Sequence, residues 1–327
     1  MARPRILILS LGGTITMLPA AAGGIVPTLG AAELVAAVPR LADVAEVEAR
    51  SLFRLPSPSL SPGNLVEVAR QIEEAFAQGV AGAVVVQGTD TIEESAFLLD
   101  LLLPGDQPVV VTGAMRGPDA PGADGPANLL AAVSTAASPE ARGLGALVVL
   151  NYDIHAARFV RKAHTARPSA FASPMMGPIG VVAEGRPRIH ARLPRLAGQP
   201  SYGGPPSPVA LLHWAMGEDG RMLEALPRLG YAGAVIEGMG AGHVPAEVAP
   251  LLGELAARIP VVLASRCLAG PVFTNTYGYP GGEIDLLGRG LIPAGFLSGL
   301  KARLLLGLAL RNGHGQASAA AAFQPYQ

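Results

Sequence analysis

Short apolar runs punctuate the chain at residues 6–9, 83–86, 109–111, 147–150, 209–212, 234–236 and 261–263, each bounded by Gly, Pro or polar residues. Continuous runs this short predict strands buried on both faces, since a half-exposed strand alternates and a buried helix runs longer. Between the runs the period changes. Leu65, Val68, Ala69, Ile72, Ala75 and Phe76 recur at helical spacing, which predicts an amphipathic helix over 65–76. Asp90-Thr91-Ile92-Glu93 opens a second helix with a capping residue and an acidic first turn, and Pro104-Gly105 closes it. Strands alternating with helices at this spacing predict an α/β fold on a mostly parallel sheet.

Pro187, Pro194, Pro200, Pro205, Pro206 and Pro208, with Gly198, Gly203 and Gly204, interrupt this pattern. Such a density of prolines and glycines disfavours regular structure and marks a linker. The expected division is a larger N-terminal, mostly parallel-sheet domain over 1–188, a linker over 189–208 and a smaller C-terminal domain over 209–327. No repeat of fixed period is visible, and the Ala-rich stretch 317–322 is expected to be a frayed helix.

Composition narrows the function classes. The chain has 327 residues, half of them hydrophobic and only 15% charged, which fits a sizeable core and excludes a disordered chain. Its 24 basic and 25 acidic residues leave a net charge of −1 with no basic stripe, so a nucleic-acid partner is not expected. One cysteine, Cys267, excludes an intrachain disulfide; with no histidine partner nearby it is expected to be a buried structural thiol. The six histidines lack metal-ligand spacing, so no metal is expected. Residues 6–11 are too short for a signal core, and no run approaches the roughly 18 apolar residues of a membrane span. The expectation is a soluble cytoplasmic protein without a membrane partner.

Polar residues at strand ends carry the candidate chemistry. Gly12-Gly13-Thr14-Ile15 directly follows the first apolar run, where loops of a parallel sheet line a ligand crevice. The glycines allow close backbone approach and present N–H donors, although an ordinary strand-to-helix turn accounts for the same residues. The segment lacks the spacing of a dinucleotide fingerprint and the Lys-Ser/Thr of a P-loop. Gln87-Gly88-Thr89-Asp90-Thr91 occupies the same position after a second run. Asp90 is either a plain helix cap or, beside a threonine and helix N–H groups, part of a site for a ligand carrying an ammonium and a carboxylate. Lys162, in Arg158-Phe159-Val160-Arg161-Lys162, is either a solvated surface charge or, if buried beside Asp90, a group that poises a threonine hydroxyl. Gly238-Met239-Gly240-Ala241-Gly242 forms another strand-end loop, suited to tight packing or to approach by a neighbouring subunit.

Gly12-Gly13-Thr14-Ile15, Gln87-Gly88-Thr89-Asp90-Thr91-Ile92-Glu93-Glu94 and Lys162 together resemble the bacterial-type L-asparaginase (asparaginase/glutaminase) family. Val109 to Arg116, Ala123-Asp124-Gly125-Pro126-Ala127-Asn128-Leu129 and the tail Lys301-Ala302-Arg303 extend the likeness over nearly the whole chain. The resemblance implies a flavodoxin-like C-terminal domain and hydrolysis of the side-chain amide of asparagine through an acyl-enzyme. It makes Thr14 the nucleophile, with Thr89, Asp90 and Lys162 as a second triad. Backbone N–H groups at Thr89 and near Ala114 would form an oxyanion hole, with Gly88 beside them. Asp90 would bind the α-ammonium and Ser57 the α-carboxylate. It further implies no metal or organic cofactor and a homotetramer, a dimer of dimers with intersubunit sites.

The sequence departs from the family pattern at several positions. The loop tyrosine has no counterpart in Gly23-Gly24-Ile25-Val26-Pro27, Ser57 is followed by Pro58 and Ser59, the partner-subunit asparagine falls at Ala241, and a glutamate falls near Tyr277. Tyr277 or Tyr279 is therefore a candidate replacement phenol supplied across the interface. Other classes compatible with these residues are an amidase for another β-amide or a glutamine-type substrate, and a non-catalytic asparagine or aspartate sensor.

Overall fold

The computed structural model describes residues 3–19, 25–196, 198, 207–311 and 315–327. Gly23, Gly24, His314 and much of the proline-rich segment, including Pro200, Gly203, Gly204, Pro205 and Pro206, lie outside the described residues. The chain divides into two compact units, Met1–Gly198 and Gln199–Gln327.

The first unit runs β1 (Arg5–Ser10), β2 (Met17–Pro19), β3 (Ile25–Pro27), α1 (Ala31–Ala36), α2 (Leu41–Val44), β4 (Glu46–Ser51), α3 (Pro62–Ala77), β5 (Gly82–Val86), α4 (Ile92–Leu102), β6 (Val109–Thr112), α5 (Gly125–Ala136) and β7 (Ala146–Leu150). It continues through β8 (Asp153–Ala156), β9 (Arg161–Lys162), β10 (Phe171–Ala172), β11 (Gly180–Ala183) and β12 (Arg186–Ile189). An eight-stranded sheet has the order β12-β11-β8-β7-β6-β5-β1-β4, parallel from β7 to β4 and antiparallel beyond β7. The apolar runs at β5, β6 and β7 are buried throughout, as their unbroken hydrophobicity predicts. At the edge, β4 alternates Glu46, Glu48 and Arg50 with apolar positions, and those charges discourage pairing with another chain.

Helices cover both faces of this sheet. On one side α1, α2 and α5 pack Leu34, Leu41, Leu129 and Val133 against Val84, Val110 and Val149. On the other, α3 lies against α4, and α4 against β6 and β7. The β5-α4-β6 and β6-α5-β7 connections step across the sheet in the same direction with helices on opposite faces, so the two crossovers have opposite hand and one breaks the right-handed rule. Ser61 caps α3 by accepting from Asn64 N at 3.3 Å, while Asn64 Oδ1 accepts from Ser61 N at 2.9 Å, and Pro62 fills the first turn. Its Leu65, Val68, Ala69, Ile72 and Ala75 are buried as the spacing predicts, and Phe76 is half-buried.

Asn151 and Tyr152, at φ 50° and 67°, make the two-residue turn that sends β8 back along β7. On β8, His155 is 2% exposed, with Nδ1 3.0 Å from Ser173 Oγ and Nε2 without a partner. Burial lowers its pKa from 6.5 to about 4.

The second unit contains β13 (Val209–His213), α6 (Ala225–Arg228), β14 (Gly233–Gly238), α7 (Ala249–Ala256), β15 (Val261–Ser265), α8 (Glu283–Gly288), β16 (Ile292–Pro293), α9 (Gly299–Arg311) and α10 (Gln316–Phe323). Its four strands are parallel in the sequential order β13-β14-β15-β16. Leu226, Leu252, Leu255 and Leu286 from α6, α7 and α8 share one core with Ala234, Ile236, Val261 and Leu263. The Ala-rich tail is not frayed: α10 packs on α9 and buries Ala319, Ala322 and Phe323. Cys267 is exposed rather than buried, because the chain leaves the sheet after Ser265 and Cys267 N donates to Ser265 Oγ at 3.0 Å, which keeps the thiol outside the core. No helix among the described residues is long and apolar enough to cross a membrane.

Candidate active site

β1 and β5 are neighbouring parallel strands, so the loops at their carboxyl ends emerge side by side at the point where strand order reverses. Gly12 and Gly13 adopt φ of 106° and 92°. A Cβ on Gly13 would lie 2.0 Å from Gly88 N and 2.3 Å from Gly88 Cα, and one on Gly12 would lie 2.6 Å from Leu55 O. The glycines thus permit backbone contact between the two threonine-bearing loops. Thr14–Thr16 then forms one 3-10 turn in which Thr16 Oγ1 donates to Gly13 O at 2.7 Å. Thr14 is half-buried, and its hydroxyl makes no hydrogen bond to the described residues.

Thr89–Thr91 forms another 3-10 turn ahead of α4, with no side-chain cap bond. Asp90 is therefore not the helix cap its position in sequence allows. Its Oδ1 accepts from Lys162 Nζ at 2.5 Å, and the same ammonium donates to Thr89 Oγ1 at 2.8 Å. The Lys162 side chain is 15% exposed and that of Asp90 60%, so the pair reaches from a sheltered cation to an open carboxylate. Lys162 is thus not a solvated surface charge. It is carried by β9, a two-residue strand paired with β10 outside the main sheet, and Glu93 Oε1 accepts from its backbone N at 3.0 Å.

Ser57 follows β4 in a further 3-10 turn and is 3% exposed. Its Oγ accepts from Asp90 N at 3.2 Å, and its carbonyl accepts from Thr91 Oγ1 at 3.2 Å, which in turn accepts from Gln87 Nε2 at 3.1 Å. A Cβ on Gly88 would lie 2.7 Å from Ser57 Oγ, so Gly88 allows Ser57 to sit against this turn. Ala114 is buried after β6, and its loop is clamped by Asp124, which accepts from Met115 N at 3.0 Å and Arg116 N at 2.9 Å. Asn128 Nδ2 holds Gly113 O at 3.0 Å. The Cβ position of Gly113 is 3.4 Å from Thr89 Cγ2, and that of Gly125 lies 2.8 Å from Ile15 Cγ1 and 3.5 Å from Ala114 Cβ, so the loop of Ala114 adjoins both threonine segments.

Tyr277 belongs to the second unit and is 41% exposed. Its ring stands edge-on to His243 at 4.9 Å, and Tyr279 lies 5.6 Å from the same imidazole. Beneath them Glu283 is fully buried, accepting from Tyr277 N at 2.7 Å and Thr276 N at 2.8 Å and lying 3.1 Å from His243 Nε2. Burial pushes the Glu283 carboxyl up, but the Tyr277 and Thr276 N–H groups and His243 outweigh it and hold the pKa below the usual value. Ala241 offers only a methyl group between Gly240 and Gly242, at φ 51° and 111°. The sequence reading passed over both Glu93 and Glu283. The first registered as part of an acidic helix turn and of the motif that carries the family resemblance, with no role of its own, and the second had no neighbour in sequence to mark it.

The family profile for asparaginase, N-terminal, matches residues 5–195, and that for the glutaminase/asparaginase C-terminal domain matches residues 208–323. A probable L-asparaginase of Deinococcus radiodurans is 40% identical over 319 residues, spanning 93% of this chain and 92% of its own length. A glutaminase-asparaginase of Pseudomonas fluorescens biotype A is 32% identical over 316 residues, spanning 93% of this chain and 86% of its own. The crystal structure of a probable cytoplasmic L-asparaginase from Campylobacter jejuni matches with a TM-score of 0.85 at 31% identity, covering 98% of this chain and 99% of that one.

Proposed function

The chain belongs to the asparaginase family, and on that premise we propose that it hydrolyses the side-chain amide of L-asparagine to L-aspartate and ammonia through a threonine acyl-enzyme. The observation that carries the reading is the Lys162 ammonium bridging Thr89 Oγ1 and Asp90 Oδ1 beside the Gly13–Gly88 contact that seats Thr14. Thr14 Oγ1 attacks the amide carbon, and the negative charge that develops on the carbonyl oxygen meets backbone N–H groups at Thr89 and near Ala114. One such donor is worth about 100-fold or more in rate. Thr14 gives up its hydroxyl proton as it attacks, and the C–N bond breaks as the nitrogen takes that proton and leaves as ammonia. Water, positioned by Thr89 with Asp90 and Lys162, attacks the resulting ester, and Thr14 regains its proton as aspartate departs.

Substrate binding follows from the hydrogen bonds left over. Ser57 Oγ accepts from Asp90 N, so its own proton is free to donate to an α-carboxylate, while the Asp90 carboxylate, its Oδ1 held by Lys162 and its side chain 60% exposed, is open to an α-ammonium. Tyr277, exposed and backed by His243 and Glu283, is the phenol proposed to enter a neighbouring subunit's site in a homotetramer. The cytoplasm is the proposed location, the Campylobacter jejuni relative being described as cytoplasmic. A glutamine-type amide is the second reading, favoured by the relative named glutaminase-asparaginase.

The test is ammonia release from L-asparagine, L-glutamine and D-asparagine by the wild type, Thr14→Val and Thr89→Val. Turnover of asparagine by the wild type and its loss in both variants is the expected result. A wild type inactive on all three amides that still binds aspartate overturns the proposal in favour of a sensor.

A further inference from the structure

Lys162 sits on a strand of two residues whose ladder partners are only Phe171 and Ala172. A hairpin this small cannot by itself hold a long flexible side chain to the tolerance that proton transfer needs. Yet the ammonium meets two oxygens of the Thr89–Asp90 turn at 2.8 and 2.5 Å. The backbone of the same residue is gripped from the same direction: Glu93, in the first turn of α4, accepts from Lys162 N at 3.0 Å. Thr89, Asp90 and Glu93 are consecutive parts of one turn-helix segment, so Lys162 is fastened at both ends to a single rigid element. Relative motion of the hairpin then carries little into the ammonium's position.

The chemical character of Glu93 points the same way. It is 6% exposed, and its second oxygen, Oε2, is buried with no hydrogen-bond partner. An acidic side chain placed there pays desolvation that an apolar residue would avoid, and the first turn of α4 offsets only part of it. Serine or threonine at this position is too short to reach the β9 backbone, whereas glutamate reaches it.

We propose that Glu93 is a positioning residue for the reaction, fixing Lys162 through its backbone N–H so that the ammonium is delivered to Thr89 and Asp90. This rests on the proposed role of Lys162 in the reaction. Glu93 touches neither substrate nor reacting atoms. Its contribution lies in kcat, with little change in KM, because it sets the geometry of the proton-handling group rather than the pocket for the substrate's backbone end.

Asparagine turnover and thermal midpoints of Glu93→Asp, Glu93→Gln, Glu93→Ala and Lys162→Met in the full chain test it. Lys162→Met is expected to lose at least about 100-fold in kcat. Glu93→Asp keeps the carboxylate but withdraws it by one methylene, and kcat is expected to fall about tenfold or more with KM within about twofold. Glu93→Gln keeps an acceptor at full reach and is expected to retain at least about a third of kcat. Glu93→Ala loses more than the aspartate variant; if it does not fold, the aspartate and glutamine pair decides. Equal kcat in those two variants, or wild-type kcat in a folded Glu93→Ala, overturns the positioning role when Lys162→Met is inactive. A fully active Lys162→Met overturns the role of Lys162 and that of Glu93 with it.

Discussion

Alanine at position 13 tests whether contact between the two threonine loops serves the chemistry. Its Cβ would fall 2.0 Å from Gly88 N and 2.3 Å from Gly88 Cα, where real contacts essentially never drop below 3.0 Å. Gly88 is held at the end of the fully buried β5 and against Ser57, so the Thr14 turn is the part that yields, by about 1 Å. A displacement of that size at a reacting group costs about 100-fold in rate. The backbone of Gly13, at φ 92° and ψ 177°, lies in a region open essentially to glycine alone and adds about 1–3 kcal/mol of strain for any L side chain. Gly79 supplies the control, since its φ is 82° and a Cβ there meets nothing within 4 Å. Gly79→Ala is expected to lose about 1 kcal/mol of stability to backbone strain alone with activity intact, whereas Gly13→Ala loses activity far beyond its loss of stability. Coupled ammonia release gives kcat and KM, and a thermal melt gives the stability. Equal kcat in the two variants would refute the argument that Gly13 seats Thr14.

Two further predictions concern groups elsewhere. The folded-state pKa of His155 is lowered to about 4 from 6.5, so between those values the unfolded chain binds a proton that the folded one refuses. Stability is full above pH 6.5 and falls as pH drops through this window, by about 3 kcal/mol at pH 4 and below, at about 1.4 kcal/mol per pKa unit. Urea titrations at pH 7, 5.5 and 4.5 on wild type and His155→Gln are expected to show a shallower acid slope in the variant, and parallel slopes would contradict the assignment. Tyr277→Phe removes the phenol but keeps the ring against His243, and is expected to lower kcat about tenfold or more with an unchanged thermal midpoint. Unaltered turnover removes Tyr277 from the site.

Several features of the fold are legible without coordinates because they rest on local periodicity. The unbroken apolar runs at residues 83–86, 109–111 and 147–150 become strands buried on both faces, since only the middle of a parallel sheet hides every side chain of a strand. The capping pair Ser61 and Asn64 likewise starts α3 within four residues of chain. Residues whose state depends on distant partners behave otherwise. Asp90 reads from its neighbours as either a cap or part of a ligand site, and the choice is made by a lysine 72 positions away that its carboxylate meets. Cys267 reads as a buried thiol by residue type and is exposed because of where β15 ends.

The alternation of strands and helices, the placement of two threonine segments at strand ends and the family resemblance they carry are all legible in the residues alone. These are written in side-chain periodicity and in residues only a few positions apart. Only folding set the opposite hand of the two crossovers, the partial shelter of Lys162 where its ammonium meets Thr89 Oγ1, and the enclosure of Glu93 and Glu283. The reason is physical: whether a charged group is solvated, paired or desolvated depends on atoms brought near it by folding.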